Sequence, residues 1–308
     1  MQSNNIIIGT RSSELAIWQA NLVKEKIERK VPNISIELRL IKTRGDKIQQ
    51  KALDQISGSG LFTKEIEKKL LDGEIDLAVH SLKDLETTLP EGLTIGGVVE
   101  RGPVEDVLAA KQKGITIENL SDNATVATGS IRRKAQLLHI RPDLNIIGLR
   151  GNVNTRIRKL EESNWEAAVF ARAGLTRVNL DKYISSVIDT DVIIPSVGQG
   201  ALAVEFRENE YALRDILAKI NHKDTELAVK AERAFLKRLG GGCKTPIAAY
   251  SHIENGKQTI DGVVASVNGE EYLREKITSD SRKAEELGEE LAETLLSRGA
   301  EDIIKKYK

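Results

Sequence analysis

The sequence predicts an α/β protein: two strand–helix units followed by a smaller α+β region. Three observations predict it. Strand and helix signals alternate over the first 100 residues. They alternate again from about residue 104 to 194. Near residue 220 they give way to one long helix signal and then successive strands. At 308 residues the chain is too long for one ordinary core and suits two or three domains of roughly 100 residues each.

The first unit opens on Ile6-Ile7-Ile8, a short buried-strand signal. Ser13 can cap a helix carrying Leu15, Trp18, Leu22 and Ile27 on overlapping faces. Ile34, Ile36, Leu38 and Leu40 alternate with period two, as a half-buried strand does. The turn-rich Ser57-Gly58-Ser59-Gly60 leads into a helix through Phe62, Ile66 and Leu70 that stops near Gly73, and Ile75–Val79 is the next strand. This rhythm predicts a sheet of mostly parallel strands. In the second unit, Val126-Ala127-Thr128 ends a strand and Ile131–Ile140 is a helix stopped before Pro142. Asn145–Leu149 is a strand, Val153–Leu160 a helix and Ala167–Ala171 a strand. Two such units joined by short connections predict a cleft between lobes. In the third region a helix over Glu226–Leu239 ends in Gly240-Gly241-Gly242-Cys243. Strands follow over Ile247–Ser251, Thr259–Val267 and Tyr272–Thr278, with a closing helix over Ser281–Leu296.

Composition narrows the function. Basic and acidic residues balance at 46 each, so the whole chain has no bias toward nucleic acid or membrane. No apolar run approaches the roughly 20 residues of a membrane span. The N-terminus moves straight into a strand with no basic or long apolar leader, so a cytoplasmic enzyme is the expectation. A single cysteine rules out an internal disulfide, and the four histidines lie far apart, so no metal site is expected.

Four features can carry chemistry. Residues 126–180 hold ten basic and four acidic side chains, a local net of +6 in a neutral chain. Arg132 and Arg133 follow Thr128-Gly129-Ser130, and Arg150 precedes Gly151-Asn152, all at strand-to-helix junctions. Such junctions line ligand crevices and favour anions, and arginine grips carboxylates with two bonds. The plain alternative is a solvated face of ordinary ion pairs. His80-Ser81-Leu82-Lys83-Asp84 places an acid and a base at a strand end, where Asp84 can act as acid, base or cation stabiliser; a simple turn is the alternative. Cys243 follows three glycines, which favours access and so covalent or nucleophilic work; a buried small hydrophobe is the alternative. Gly58-Ser59-Gly60 and Gly198-Gln199-Gly200 match no phosphate-binding fingerprint.

Together these pieces resemble the porphobilinogen deaminase (hydroxymethylbilane synthase) family. The resemblance runs in order through Gly9-Thr10-Arg11-Ser12-Ser13, Thr43-Arg44-Gly45-Asp46, Gly60-Leu61-Phe62-Thr63-Lys64-Glu65 and Ala78-Val79-His80-Ser81-Leu82-Lys83-Asp84. It continues through Ser130-Ile131-Arg132-Arg133, Leu149-Arg150-Gly151-Asn152-Val153, Ala173-Gly174-Leu175, Val197-Gly198-Gln199-Gly200-Ala201 and Gly241-Gly242-Cys243. It implies two domains like type II periplasmic binding proteins enclosing a cleft, plus a small C-terminal α+β domain with the cysteine loop. Domain 1 would span residues 1–103 and 195–217, domain 2 residues 104–194, and domain 3 residues 218–308.

The resemblance also implies the chemistry. One dipyrromethane per chain, built from substrate, would be thioether-linked to Cys243. Porphobilinogen loses ammonia to an electrophilic azafulvene, which the terminal pyrrole attacks. Four such additions and a hydrolysis release hydroxymethylbilane. Each ring adds two carboxylates, so a hexapyrrole would carry about a dozen negative charges, the reason for many arginines. Asp84 is the implied catalytic residue. Ser13, Lys83, Asp84, Thr128, Ser130, Arg132, Arg133, Arg156 and Gly174 are the implied cofactor contacts; Arg11, Phe62, Arg150, Asn152, Arg177 and Gln199 the implied substrate contacts. A monomer is expected, with product passed to uroporphyrinogen-III synthase. Some positions depart from the pattern. Gln55 and Ser59 stand where lysines are common, with Lys51 or Lys64 as possible replacements. Glu14 stands for a proline and Leu82 for a methionine. Gly129 replaces a frequent serine, costing a hydroxyl contact, and Arg172 replaces a small apolar residue.

Other readings are a solute-binding protein of the same two-lobed fold, which would need an export signal and no third domain, and a thiol enzyme using Cys243 with a base such as His252. A nucleic-acid binder ranks lowest, because few aromatics interleave the arginines.

Overall fold

The computed structural model describes residues 5–43, 63–242, 245–280 and 283–307. Two compact units divide the chain, Met1–Gly102 with Gly200–Glu226 and Pro103–Gln199 with Leu227–Lys308.

In the first unit, β1 (Asn5–Arg11) runs parallel to β2 (Ser35–Ile41), from Asn5 opposite Ser35 to Arg11 opposite Ile41. Between them lies α1 (Glu14–Lys30). Ser13 caps it, its Oγ accepting from Ala16 N at 3.3 Å, and Arg29 and Lys30 in the last turn suit the helix dipole. Its buried stripe is Gln19, Ala20, Val23 and Ile27. Trp18, expected on the apolar face, is exposed. The small Ala20 lets the helix lie close over Ile6, Ile8, Leu77 and Val79. Next come α2 (Lys64–Leu71) and β3 (Leu77–Ser81), the latter parallel to β1, then a 3₁₀ turn over Leu82–Asp84 and β4 (Leu93–Val98). The strand expected at Ile75 begins two residues later, because its ladder with β1 starts at Leu77 opposite Ile8.

The second unit repeats this plan. It contains β5 (Asp106–Ala109), β6 (Thr125–Ala127), α3 (Ile131–Ile140), β7 (Asn145–Ile147) and α4 (Val153–Glu162). It continues with β8 (Ala167–Ala171), α5 (Arg172–Thr176) and β9 (Ile184–Ile188). The sheet order is β7-β6-β8-β5-β9. β10 (Leu202–Arg207) and α6 (Tyr211–Ala218) belong to the first unit, whose sheet order is β2-β1-β3-β10-β4.

Both sheets are mixed, not mostly parallel. β10 is antiparallel to β3 and β4, and β5 is antiparallel to β8 and β9. The parallel expectation rested on the strand–helix alternation, which describes only the three strands at one side of each sheet.

The rest of the second unit follows α7 (Lys223–Arg238). An antiparallel meander of β11 (Ile247–Glu254), β12 (Lys257–Ala265) and β13 (Tyr272–Asp280) is covered by α8 (Ala284–Ser297) and α9 (Ala300–Lys305). Phe235, Ile260, Val264, Leu291 and Leu295 fill its core. The loop between β12 and β13 meets α3, where His139 stacks on Tyr272 with ring centroids 4.0 Å apart and Nδ1 lies 3.0 Å from Gly269 O. No described helix is long and apolar enough to cross a membrane.

Candidate active site

In the first unit the C-terminal ends of the parallel strands β1 and β3 carry the predicted residues. β1 ends in Arg11, Ser13 starts α1, and β3 runs into the turn holding Lys83 and Asp84. Arg11, Ser13, Gln19, Thr63, His80 and Asp84 line one cavity of about 60 Å³. Asp84 is exposed there. Gln19, buried, fixes the strand end by donating from Nε2 to Ser81 Oγ at 2.9 Å.

In the second unit the same strand ends carry helix N-termini. Ser130 caps α3, Oγ accepting from Arg133 N at 3.4 Å, and Asn152 caps α4, Oδ1 accepting from Thr155 N at 2.8 Å. Ser13, Ser130 and Asn152 are thus all N-caps. Each leaves the remaining N–H groups of its first turn pointing along the helix axis, where an anion is favoured. Thr128 Oγ1 accepts from Ser130 N at 3.3 Å, and Arg156 donates from Nε to Gly151 O at 2.7 Å. Lys159 Nζ donates to Arg150 O at 3.1 Å.

Arg132 and Arg133 are both buried, and one carboxylate holds them. Asp106 Oδ2 accepts from Arg132 Nη2 and Oδ1 from Arg133 Nη2, each at 2.7 Å. Oδ1 also accepts from Gln199 Nε2 at 2.8 Å. Burial alone would raise the Asp106 carboxyl. The two guanidiniums outweigh that and hold it well below the usual carboxylate range. Backbone carbonyls complete the setting: Arg132 Nη1 donates to Ile194 O at 2.7 Å and Arg133 Nη1 to Val169 O at 3.0 Å. Each arginine keeps a buried Nε–H with no partner among the described residues. Gln199, expected on substrate, spends Nε2 inside the fold on Asp106 and Val104 O.

The other arginines divide. Arg141 forks onto Asp143, with Nε to Oδ1 and Nη2 to Oδ2 both at 2.8 Å, and also donates to Ile117 O and Leu120 O. Arg158 pairs with Glu162 along its own helix, and Arg172 with Glu105 at 3.0 Å. For these three the plain ion-pair reading holds. Burial pulls the Arg177 guanidinium below the ordinary arginine value, and it still carries its charge at neutral pH. Gly174 lies on α5, where a Cβ would have open room, nearest Val153 at 3.9 Å. Gly129 does not: a Cβ there would sit 2.5 Å from Leu149 O, so a serine does not fit this backbone. Phe62, Cys243, Gln55, Ser59 and Lys51 lie outside the described residues.

Gln19, Asp106 and Glu205 escaped the sequence reading. Asp106 opens the apolar run Val107-Leu108-Ala109, and Glu205 interrupts Leu202-Ala203-Val204-Phe206. An acid inside a buried strand was the available signal.

Comparison with known proteins gives the same direction. Residues 6–215 match the family model described as porphobilinogen deaminase, dipyromethane cofactor binding domain, and residues 226–297 match that of the porphobilinogen deaminase C-terminal domain. The chain is 45% identical over 306 residues to the porphobilinogen deaminase of Pelobacter propionicus, covering 99% of this chain and 98% of that one. It is 47% identical over 303 residues to that of Moorella thermoacetica, covering 98% and 96%. Among solved structures it is similar to the methionine binding protein MetQ (TM-score 0.45, 14% identity, 70% of this chain and 88% of that one). It is also similar to the periplasmic VFT2 domain of Bordetella pertussis BvgS (TM-score 0.43, 14% identity, 70% and 86%). With both family models matched in order and near-full-length relatives above 40% identity, the chain belongs to the porphobilinogen deaminase family.

Proposed function

We propose that this chain condenses porphobilinogen head to tail into hydroxymethylbilane, with Asp84 as the catalytic group and Cys243 as the attachment point of a single dipyrromethane. The observation that carries this is the shared cavity: Arg11 and Ser13 from one matched segment and Asp84 from another line one hollow at the ends of β1 and β3.

The residues present suit a polycarboxylate cofactor. Three helix N-termini, two buried guanidiniums with unspent Nε–H groups and further arginines at strand ends are donors for anions. Ser13, Lys83, Thr128, Ser130, Arg132, Arg133, Arg156 and Gly174 would hold the dipyrromethane, which when bound supplies a pyrrole α-carbon as nucleophile. Arg11, Phe62, Arg150, Asn152 and Arg177 would hold the incoming ring. Gln199, whose amide also holds Asp106, would join them. The Asp84 carboxylate, exposed in the cavity, faces the positive charge that develops on a pyrrole nitrogen as ammonia leaves, and it moves the proton at that nitrogen. Arg11 beside it orients a substrate carboxylate. Residues 1–103 with 195–217, 104–194 and 218–308 are the proposed domains. A cytoplasmic monomer that hands its product to uroporphyrinogen-III synthase completes the reading.

The test is the intact mass of the protein beside Cys243→Ser. An adduct of two linked pyrrole units on the wild type, absent from the variant, is the expected result. A wild type that stays unmodified after incubation with porphobilinogen refutes it.

A further inference from the structure

β3 and β10 bring a histidine and a glutamate to one face of the first sheet. His80 pairs with Ala203 and Ala78 with Glu205, so the two polar side chains are diagonal neighbours. α2 covers that face, where Ala78 packs with Ile66 and Leu70. His80 Nε2 lies 3.1 Å from Glu205 Oε2. Glu205 is fully buried, and its Oε1 has no partner among the described residues. A second acid, Glu67 of α2, is buried nearby. Burial pushes its carboxyl up; the Thr63 side chain pulls it down, Glu205 pushes it up and His80 pulls it down, in falling order.

Packing does not call for this arrangement. The neighbouring positions on the same face are the alanines Ala78 and Ala203, and an acid with one partner in such a place is costly. One carboxylate bonded to the imidazole and a second buried on the covering helix instead put countercharge at a group able to exchange a proton. His80 is also one of the residues that line the cavity shared by Arg11 and Asp84. Of the charged groups near His80, Glu205 of β10 bonds the ring and Glu67 of α2 interacts with it electrostatically, while Arg11 of β1 and Asp84 of the turn after β3 line the same cavity. Glu86 acts on Glu67 from further out.

We propose that His80, oriented by Glu205, is the proton store of the Asp84 cavity: it supplies the proton that leaves with ammonia and recovers one from the pyrrole α-carbon in each addition. This rests on the reading of Asp84 given above. The step balances. The aminomethyl group reacts as the neutral amine: its C–N bond breaks, the nitrogen keeps the electron pair, takes one proton from the imidazolium through Asp84 and leaves as ammonia. A C–C bond forms to the pyrrole α-carbon, whose C–H electrons return to the ring. The proton released there goes back through Asp84 to the imidazole. The pair ends each round in its starting state, with nothing oxidised or reduced. His80 acts through Asp84, so its part is to position and hold the proton.

The test uses the holoenzyme and the variants His80→Gln, Glu205→Gln and Asp84→Asn. Glutamine at position 80 still donates to Glu205 but does not titrate. It is expected to slow single-turnover addition of porphobilinogen about tenfold or more, as loss of a proton-transfer partner does. It is also expected to remove one ionisation from the pH–rate profile, with substrate affinity unchanged. Glu205→Gln is expected to shift that ionisation without removing it. A His80→Gln enzyme whose pH–rate profile superposes on the wild type overturns the proposal. Should His80→Gln not fold, the ring signal of His80 in wild-type holoenzyme labelled with ¹⁵N-histidine decides. Titration of the ring in step with the rate supports the store, and a ring in one protonation state across the active range overturns it. Asp84→Asn separates the two layers. Full turnover there refutes the reading of Asp84, whereas lost turnover beside an unaltered His80→Gln refutes only the store.

Discussion

Arg132 Nη2 and Asp106 Oδ2 lie 2.7 Å apart in the interior of the second unit, and Arg133 reaches the other oxygen of the same carboxylate at the same distance. Two adjacent arginines on one helix repel each other, and both are buried. Asp106 cancels one of the two charges and fixes both planes, leaving a net charge of one for a ligand. Asp106→Asn would leave two guanidiniums opposite a neutral amide. Breaking a buried pair from one side costs about 3–5 kcal/mol, readable as a lower urea midpoint. The pH dependence follows in sign. The folded carboxyl is held below its unfolded value, so its contribution is complete above about pH 4 and is lost as the pH falls below that. The wild type should therefore lose stability steeply in acid, and the variant should show a shallower fall.

Gly269 sits at φ +76°, with a virtual Cβ 2.4 Å from His139 N and 2.7 Å from Ala135 O. Backbone meets backbone there, so no side chain can move aside. Gly269→Ala combines a left-handed conformation with overpacking, for a cost of about 2–4 kcal/mol. Thermal unfolding should show it as a clear drop in Tm. A variant as stable as the wild type would mean that the β12–β13 loop does not rest on α3 in solution.

The Gly129 position reverses an expectation. A hydroxyl contact missing relative to the usual serine suggests that Gly129→Ser would strengthen cofactor binding. The 2.5 Å approach of Leu149 O to a virtual Cβ predicts the opposite. Serine there should cost about 1–3 kcal/mol by overpacking and displace the loop leading to Arg132. Chemical denaturation, with the intact-mass adduct as a check on cofactor loading, measures both effects.

Much of this was legible in the chain, for identifiable reasons. Helix α3 ends where expected because Pro142 follows it, and Ser13 caps α1 because a short hydroxyl beside an apolar run has few better uses. β8 matches its expected bounds because Ala-Ala-Val-Phe-Ala is bounded by polar residues. The antiparallel strands were not legible. The resemblance placed residues 195–217 with domain 1, but that β10 enters its sheet antiparallel to β3 and β4 shows only in the register. Trp18 misled because its spacing from Leu15 and Leu22 put it on the apolar face, whereas the buried stripe is Gln19, Ala20, Val23 and Ile27. At the site, Asp84 and the paired arginines stood out by residue type and position. Asp106, Gln19 and Glu205 did not, since what they do depends on partners 27, 62 and 125 residues away.

Glu232 offers a last case in which chemistry too fine for a pattern decides the fold. It is fully buried on α7, and its carboxylate accepts from Gly198 N at 2.7 Å through Oε2 and from Ser251 N at 2.8 Å through Oε1. Both partners are backbone donors, so both oxygens must be acceptors. Glutamine has the same shape but only one acceptor oxygen. Its amide nitrogen would oppose one of the two N–H groups and leave that donor unpaired in the interior. The cost of one buried unpaired donor is about 1–3 kcal/mol, with the lost charge-assisted bond added. Glu232→Gln should therefore destabilise nearly as much as Glu232→Ala, although it preserves volume. Equal stability of Glu232→Gln and wild type would mean that the carboxylate fills space and no more. Hydrogen exchange at Gly198 and Ser251 separates these outcomes, because faster exchange at either amide marks the donor that lost its acceptor.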